Sequence, residues 1–317
     1  MNNPPLHPGV TAALGLGIDA GGTRTRWALA SSDGAVVAEG QVAGLSALQM
    51  GSAAGRHTVH AYFAELAAAV LAHGQPRQVH AGMTGYGGDG EQLQRWLAEL
   101  LGVAPRAVTL CNDIEIAYAD SFAPGEGYLV YAGTGSIGAF IDDGGQFHRA
   151  GGRGVMLDDG GGGFWIAREA LRHVWRGEDE EPGRWKSSPM AHAIFEQIGG
   201  DDWSLSRQFI YSQERGAVGK LALAVAVTAT TDPVAAAILE QAGRELARLA
   251  LALGGRFGAR PVVLAGRAAS LHPTIFASMR AALPDTISLT QSLGYAHHAA
   301  ARIAARSAAH IPARPPS

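Results

Sequence analysis

The groups in this chain that could do chemistry are few: two glycine-rich turns with hydroxyls beside them, acids at the ends of apolar runs, and one thiol. The first turn follows LGLGID, residues 14 to 19, and reads Gly21, Gly22, Thr23, Arg24, Thr25. The second, in YAGTGS, reads Gly133, Thr134, Gly135, Ser136. Backbone amides of such turns can wrap a phosphate chain because no Cβ obstructs the approach, and threonine and serine hydroxyls add donors. Asp19, at the end of the first apolar run, holds Mg2+ directly or through water in this reading. Phosphoryl transfer asks mainly for positioning and charge neutralisation, which amides, hydroxyls and a metal supply. A hydroxyl acceptor also needs a carboxylate to take its proton, an effect of about 10² to 10⁴ in rate. Asp113, just after the apolar run 107 to 111, is the candidate, and it is also suited to cap the helix expected over IEIAYA.

Each motif has a plainer reading. GLGIDA, residues 15 to 20, satisfies G-x-G-x-x-A, and Glu39 lies where a ribose-binding acid would follow. That dinucleotide fingerprint requires a helix start after the glycines, and TRWALAS continues instead as a strand, which leaves a hairpin that holds phosphates or is only a turn. Cys111 has no partner for an intramolecular disulfide and reads as a small buried residue rather than a nucleophile. His57 with His60, and His297 with His298, read as solvated helix faces rather than metal ligands. The acidic run EDEE, 178 to 181, reads as a solvated loop, and the scattered Trp and Tyr residues as core or pocket wall.

The elements that must position these groups follow from hydrophobic periodicity and turn signals. Strands are expected at 14 to 18, 25 to 31 and 35 to 42, the last two joined by a hairpin at SSDG. A helix over 53 to 73, a strand at 78 to 83, a helix over 90 to 101 and a strand at 107 to 111 come next. From residue 127 the grammar restarts, with three strands in GYLVYA, IGAFID and FHRAG. Helices are expected at 162 to 176, 189 to 198, 204 to 212, 217 to 229 and 233 to 253, the last opened by Asp232-Pro233 and closed by Gly254-Gly255. Strand 261 to 266, a helix from 272, strand 286 to 290 and a helix from 294 complete a pattern that looks like one α/β architecture used twice. In α/β folds ligands bind at the carboxyl ends of strands, so a cleft between two such domains is expected to be the site. The tail ARSAAHIPARPPS is expected to fray.

Composition excludes several classes. At 317 residues and 47% hydrophobic the chain can bury a core, and a formal net charge of −3 without long runs of one sign argues against nucleic acid. The start MNNPPLHPGV has neither a basic nor an apolar signal region, and the longest apolar stretch, within 221 to 229, is far short of the roughly 20 residues of a bilayer span. A cytoplasmic protein that engages no membrane is expected.

Taken together, GIDAGGTRTRWAL, TGYGG (84 to 88), CNDIEIAYA, YAGTGS, GVMLDDGGGGFWIAREAL (154 to 171) and VVLAG resemble, in order and spacing, the BadF/BadG/BcrA/BcrD-type ATPases, and within them the N-acetylglucosamine kinases. The resemblance implies an α/β fold of two ribonuclease H-like domains, as in actin-like ATPases, flanking an ATP cleft. The expected domains are 10 to 125, on which the final helix 294 to 310 packs back, and 126 to 293. It implies ATP- and Mg2+-dependent phosphoryl transfer to an amino sugar, foremost N-acetylglucosamine at its 6-hydroxyl, by a homodimer. Carried over residue by residue, Asp113 is the base, and the phosphates lie on Gly21, Gly22, Thr23, Arg24, Thr25, Gly133, Thr134, Gly135 and Ser136. Gly266 lies along the adenosine, Thr84, Gly85, Gly152, Asp159 and Asp113 face the sugar, and Asp19 serves Mg2+. For Thr84 and Gly85 an ordinary turn, and for Asp159 a cap on the helix of Phe164 and Trp165, stay open.

The chain departs from the family pattern at Leu48, Gly160, Gly162 and Arg267. Leu48 replaces a sugar-binding Asn, the two glycines replace a Glu and a Ser, and Arg267 stands where a second glycine is usual. Arg267 stacks on the base, reaches a phosphate or is simply exposed. The departures leave glucosamine and N-acetylmuramic acid open as acceptors. An activating ATPase of a radical dehydratase or reductase is disfavoured by the single cysteine, and a sugar-sensing regulator by a first strand that begins near residue 14.

Overall fold

The computed structural model describes residues 13–88 and 90–309, so the MNNPPLHPGV start and the end of the tail lie outside the described residues. Ten strands form two five-stranded sheets: β1 (Leu14–Ala20), β2 (Arg24–Ala30), β3 (Val36–Ala43), β4 (Pro76–Met83) and β5 (Val108–Asn112) in one, β6 (Tyr128–Ala132), β7 (Ser136–Ile141), β8 (Phe147–Gly151), β9 (Val262–Ala265) and β10 (Leu289–Ser292) in the other. The helices are α1 (Ala53–Leu71), α2 (Glu91–Leu101), α3 (Asp113–Ser121), α4 (Gly163–Glu180), α5 (Pro189–Ile198), α6 (Trp203–Ser212), α7 (Arg215–Gly219), α8 (Ala222–Thr228), α9 (Pro233–Phe257), α10 (Pro273–Ala282) and α11 (Ala296–Ala309). The chain divides into one unit that ends at Asp120 and resumes at Tyr295, and a second spanning Ser121–Gly294.

In the first unit the order β3-β2-β1-β4-β5 puts an antiparallel meander beside two parallel strands. The second sheet runs β8-β7-β6-β9-β10 with the same senses, so the ribonuclease H-like architecture is used twice. The two faces of β1 differ because side chains alternate. Leu16 and Ile18 join Val59, Phe63, Leu66, Leu93 and Leu97 in a core beneath α1 and α2. The other face carries glycine: a Cβ on Gly15 would lie 2.0 Å from the Ala305 nitrogen of α11, and one on Gly17 2.1 Å from that of Ala301. Ala28 and Ala30 of β2 pack with Ala301 and Ala305 on the same face. The two glycines of the G-x-G pattern thus admit a helix rather than a dinucleotide.

Four expected boundaries move, the first being the end of α4, which runs to Glu180 rather than 176. The helix expected over 217 to 229 splits into α7 and α8 where Lys220 and Leu221 bond back to Ala217 and Val218, a tighter turn that brings Gly219 to 3.3–3.7 Å, measured from an added Cβ, of the α4 start. α9 runs through Gly254-Gly255 to Phe257 and ends where Gly258 takes φ +90. β10 begins at Leu289 rather than 286 because the preceding turn is held by the Arg280 guanidinium, which donates to the carbonyls of Leu283 (3.0 Å), Pro284 (2.7 Å) and Ile287. Among the described residues no single helix is long and apolar enough to cross a membrane.

Glycines with opposite surroundings should respond oppositely. Gly17→Val is expected to destabilise by more than about 3 kcal/mol, since neither backbone can yield to the added atoms. Gly254→Ala, with nothing within 4 Å of the new Cβ, should stabilise by about 0.5–1 kcal/mol. Denaturant melts of both variants check the pair.

Candidate functional site

In the first unit the candidate groups collect at the carboxyl ends of β1, β4 and β5. The register pairs Asp19 with Gly82, Ala20 with Met83 and Met83 with Asn112, so Asp19, Thr84 and Asp113 leave neighbouring strands at nearly one level. Thr84 is tied down on three sides: its amide donates to Ala20 O (2.9 Å), and its carbonyl accepts from Ala47 N and Ser46 Oγ (both 2.9 Å). Its hydroxyl donates to Asp113 Oδ2 at 2.5 Å. Gly82 allows this approach, because a Cβ there would lie 2.5 Å from Ile116 and 3.2 Å from the Asp113 Cα. Gly85 takes φ +75, and the Leu48 side chain sits where its Cβ would be.

The start of α3 is capped by Asn112, and the Asp113 carboxylate shares the Ile114 amide. Asn112 Oδ1 accepts from Ile114 N (3.0 Å) and Glu115 reaches back to Asn112 N (2.9 Å), a reciprocal capping box. Burial pushes the Asp113 carboxyl above the ordinary carboxylate value, the Thr84 hydroxyl pulls it down, and the charge of Asp19 pushes it up again. Asp19 is also raised, by burial first, against an ion pair in which Arg26 donates to Oδ2 at 2.8 Å.

The β1–β2 hairpin closes with Gly21 and Arg24 exchanging both backbone hydrogen bonds (3.1 and 3.2 Å), which leaves Gly22 and Thr23 as a two-residue tip. A Cβ on Gly22 would meet nothing within 4 Å, so the chain's own packing does not require glycine there. Arg24 reaches sideways to Gln41 Oε1 (3.0 Å). Thr25 departs from expectation: it lies inside the sheet, fully buried, with its hydroxyl unpartnered, so it is not presented to a ligand in this conformation.

The second unit builds its candidates around the β6–β7 turn. Gly133 O and Thr134 O accept from Gly163 N (2.8 Å) and Phe164 N (2.9 Å), so the turn carbonyls cap α4. Ser136 is buried and donates to Gly160 O at 2.7 Å, so this hydroxyl binds the chain itself. Asp159 does not cap α4 with its side chain; at φ 53 it turns its carboxylate to Gly154 N (3.0 Å), and an added Cβ on Gly135 would lie 2.1 Å from its Oδ2. Burial raises the Asp159 carboxyl, opposed by the Gly154 and Arg153 amides. Gly152 donates to Ser136 O (3.1 Å) and Gly266, at φ +98, packs its backbone on Ala132 O. Arg267 is exposed.

A model of the BadF/BadG/BcrA/BcrD ATPase family matches residues 16–280 of this chain. The chain belongs to that family. An N-acetyl-D-glucosamine kinase of Dictyostelium discoideum is 33% identical over 103 residues, which make up 31% of this chain and 32% of that protein, so the match spans about a third of the relative's length. Among solved structures, a protein from Chromobacterium violaceum assigned as an N-acetylglucosamine kinase is 24% identical and superposes with a TM-score of 0.66 over 92% of this chain and 99% of its own. A protein of the same assignment from Porphyromonas gingivalis is 17% identical, with a TM-score of 0.70 over 93% and 99%. These structures share the fold of the family member described here.

Of the other groups, some match their sequence reading and some depart from it. The EDEE run is not a loop: Glu178, Asp179 and Glu180 form the last turn of α4, and Glu178 accepts from Gly183 N (2.8 Å) and Trp185 N (2.9 Å) and so organises the turn that follows. His57 and His60 are exposed on α1, whereas His297 is buried. Cys111 is buried with its thiol pushed up to about 12 by burial, then by Glu115 and Asp113, which keeps it protonated and inert.

The two glycine turns should separate by mutation. Gly135→Ala forces Asp159 out of place and is expected to cost at least about 2 kcal/mol, whereas Gly22→Ala should change stability by less than about 0.5 kcal/mol. Thermal unfolding of the two variants beside the parent measures the difference.

Proposed function

We propose that this chain is an ATP-dependent kinase of amino sugars, transferring a phosphoryl group to the 6-hydroxyl of N-acetylglucosamine, with Asp113 as the base. The observation that carries the reading is the Asp113 carboxylate at the end of β5, oriented by the Thr84 hydroxyl at 2.5 Å. Membership of an ATPase family and the names of its relatives supply the nucleotide and the sugar class. A carboxyl raised toward neutral pH by burial is matched to proton abstraction from an alcohol.

The residues present fit the nucleotide and its metal. Gly22 stands at a hairpin tip with open space where a Cβ would be, as close approach by phosphate oxygens demands. Asp19 is a desolvated carboxylate only partly compensated by Arg26, and a divalent cation on its other oxygen would complete the balance. A bound Mg2+ would neutralise phosphate charge in the transfer. In this reading Thr84 holds Asp113 in one rotamer, Asp113 accepts the hydroxyl proton, and Gly21, Gly22 and Thr23 present their backbone to phosphate. Leu48, lying over Gly85, gives the edge of the sugar pocket an apolar wall in place of an amide. The same family membership is the ground for expecting a cytoplasmic homodimer.

Sugar-dependent ADP release across hexoses and amino sugars tests the proposal. N-acetylglucosamine should turn over, and Asp113→Asn should lose at least roughly 10²-fold in kcat while staying folded. No turnover on any amino sugar by the parent enzyme would overturn the reading. The base acts as its carboxylate, so activity should fall as pH drops through a value above the ordinary carboxylate range. Thr84→Val removes the donor that lowers that value, so the acid limb should move to higher pH in a kcat/KM profile.

A further inference from the structure

Glu39 projects from β3, the edge strand of the first sheet, opposite Ala28 of β2. His297 and His298 occupy the first turn of α11. Successive helical residues diverge by about 100°, yet here both Nε2 atoms face one oxygen, Glu39 Oε2, at 3.6 Å from His297 and 2.5 Å from His298. Their ring centroids lie 4.3 Å apart, and Tyr295 stacks on His298 at 5.2 Å, which fixes the second ring. The ligand atoms of all three residues fall within 4.8 Å of one another.

Hydrogen bonding alone accounts poorly for this arrangement. His297 is only 5% exposed, and its sole acid contact, at 3.6 Å, is too long for a hydrogen bond. On a tetrahedral ion with bonds of about 2.0–2.1 Å, ligand atoms stand ~3.4 Å apart, between the two observed separations. The Glu39 side chain is 57% exposed, which gives an ion a path in and a water a fourth position.

We propose that Glu39, His297 and His298 form a binding site for a divalent transition metal, Zn2+ foremost, that clips the edge strand β3 to the first turn of α11. Two imidazoles and one carboxylate are a donor set for Zn2+ and its neighbours, while Mg2+ takes oxygen ligands, so this site is separate from any nucleotide-bound cation. The chain re-enters the first unit at Tyr295, whose amide donates to Asp120 Oδ2 at 2.8 Å. The clip therefore fastens the chain just after that re-entry, and an ion bound there stabilises the folded form by mass action.

The test is Zn2+ titration of metal-stripped full-length protein against a chromophoric chelator, with Co2+ as a spectroscopic probe. One high-affinity ion per chain, visible Co2+ bands of a four-coordinate site and a raised melting temperature with Zn2+ are expected. Glu39→Gln and His298→Ala should each weaken Zn2+ by about tenfold or more while circular dichroism shows a folded chain. His57→Ala, on the exposed face of α1, should bind as the parent does. Failure of the parent to take up one ion, or uptake unchanged in both site variants, would overturn the proposal; neither readout depends on kinase activity.

Discussion

The contact on which the first unit depends is backbone against backbone, α11 on β1. Added Cβ atoms at Gly15 and Gly17 would stand 2.0 and 2.1 Å from helix backbone atoms, so the strand can accept the helix only without side chains. The helix answers with alanine: Ala300, Ala301, Ala304, Ala305 and Ala308 are all buried. Close approach of this kind draws its stabilisation from many weak dispersion contacts rather than a few large side chains. With Leu16 and Ile18 packed under α1 and α2 on the opposite face, β1 is clamped from both sides. Asp19, the next outward residue on the glycine face, inherits that fixed position.

The second unit uses glycine for the same end with a different partner. There the β6–β7 turn gives its carbonyls to the first amides of α4, and the loop before α4 returns Asp159 against Gly135. Turn and loop interlock so closely that an added Cβ on Gly162 would lie 2.6 Å from the Gly135 backbone. The polar groups of a glycine-rich segment are thereby met by the chain itself, which is why the GGGG run at 160 to 163 is a packed loop and not a linker.

Much of this was legible in the sequence, for reasons that differ by level. Alternating apolar residues and turn signals marked nine of the strands closely, because strand period and hairpin chemistry are local. The exception, β10, begins late because Arg280 of another element gathers the carbonyls ahead of it, a tertiary effect invisible in TISLT. Gly254-Gly255 looked like a helix stop, yet glycine ends a helix only where a left-handed residue is required, and that residue is Gly258. At the candidate site, Asp113 was visible as an acid after an apolar run. The cap beside it rests on Asn112 and Glu115, a pairing that the spacing N-x-x-E in NDIE does carry. Thr25 and Ser136 could not be told from exposed hydroxyls, since their burial depends on what packs above them.

The sharpest distinction in the structure lies among its buried acids. Asp232 shows what a structural carboxylate looks like: burial works against it, but Ser188 Oγ and the amides of Met190, Val234 and Ala235 donate to it, and its pKa ends below the ordinary value. Asp19 and Asp113 are half-buried and end above it, because the Arg26 guanidinium at one, and the Thr84 hydroxyl with the Ile114 and Asp113 amides at the other, do not outweigh desolvation, while Asp120 disfavours the first charge and Asp19 the second. A buried carboxylate left under-compensated costs stability. The fold has the means to satisfy such a group and does so at Asp232. At Asp19 and Asp113 it leaves part of the desolvation uncompensated by its own groups.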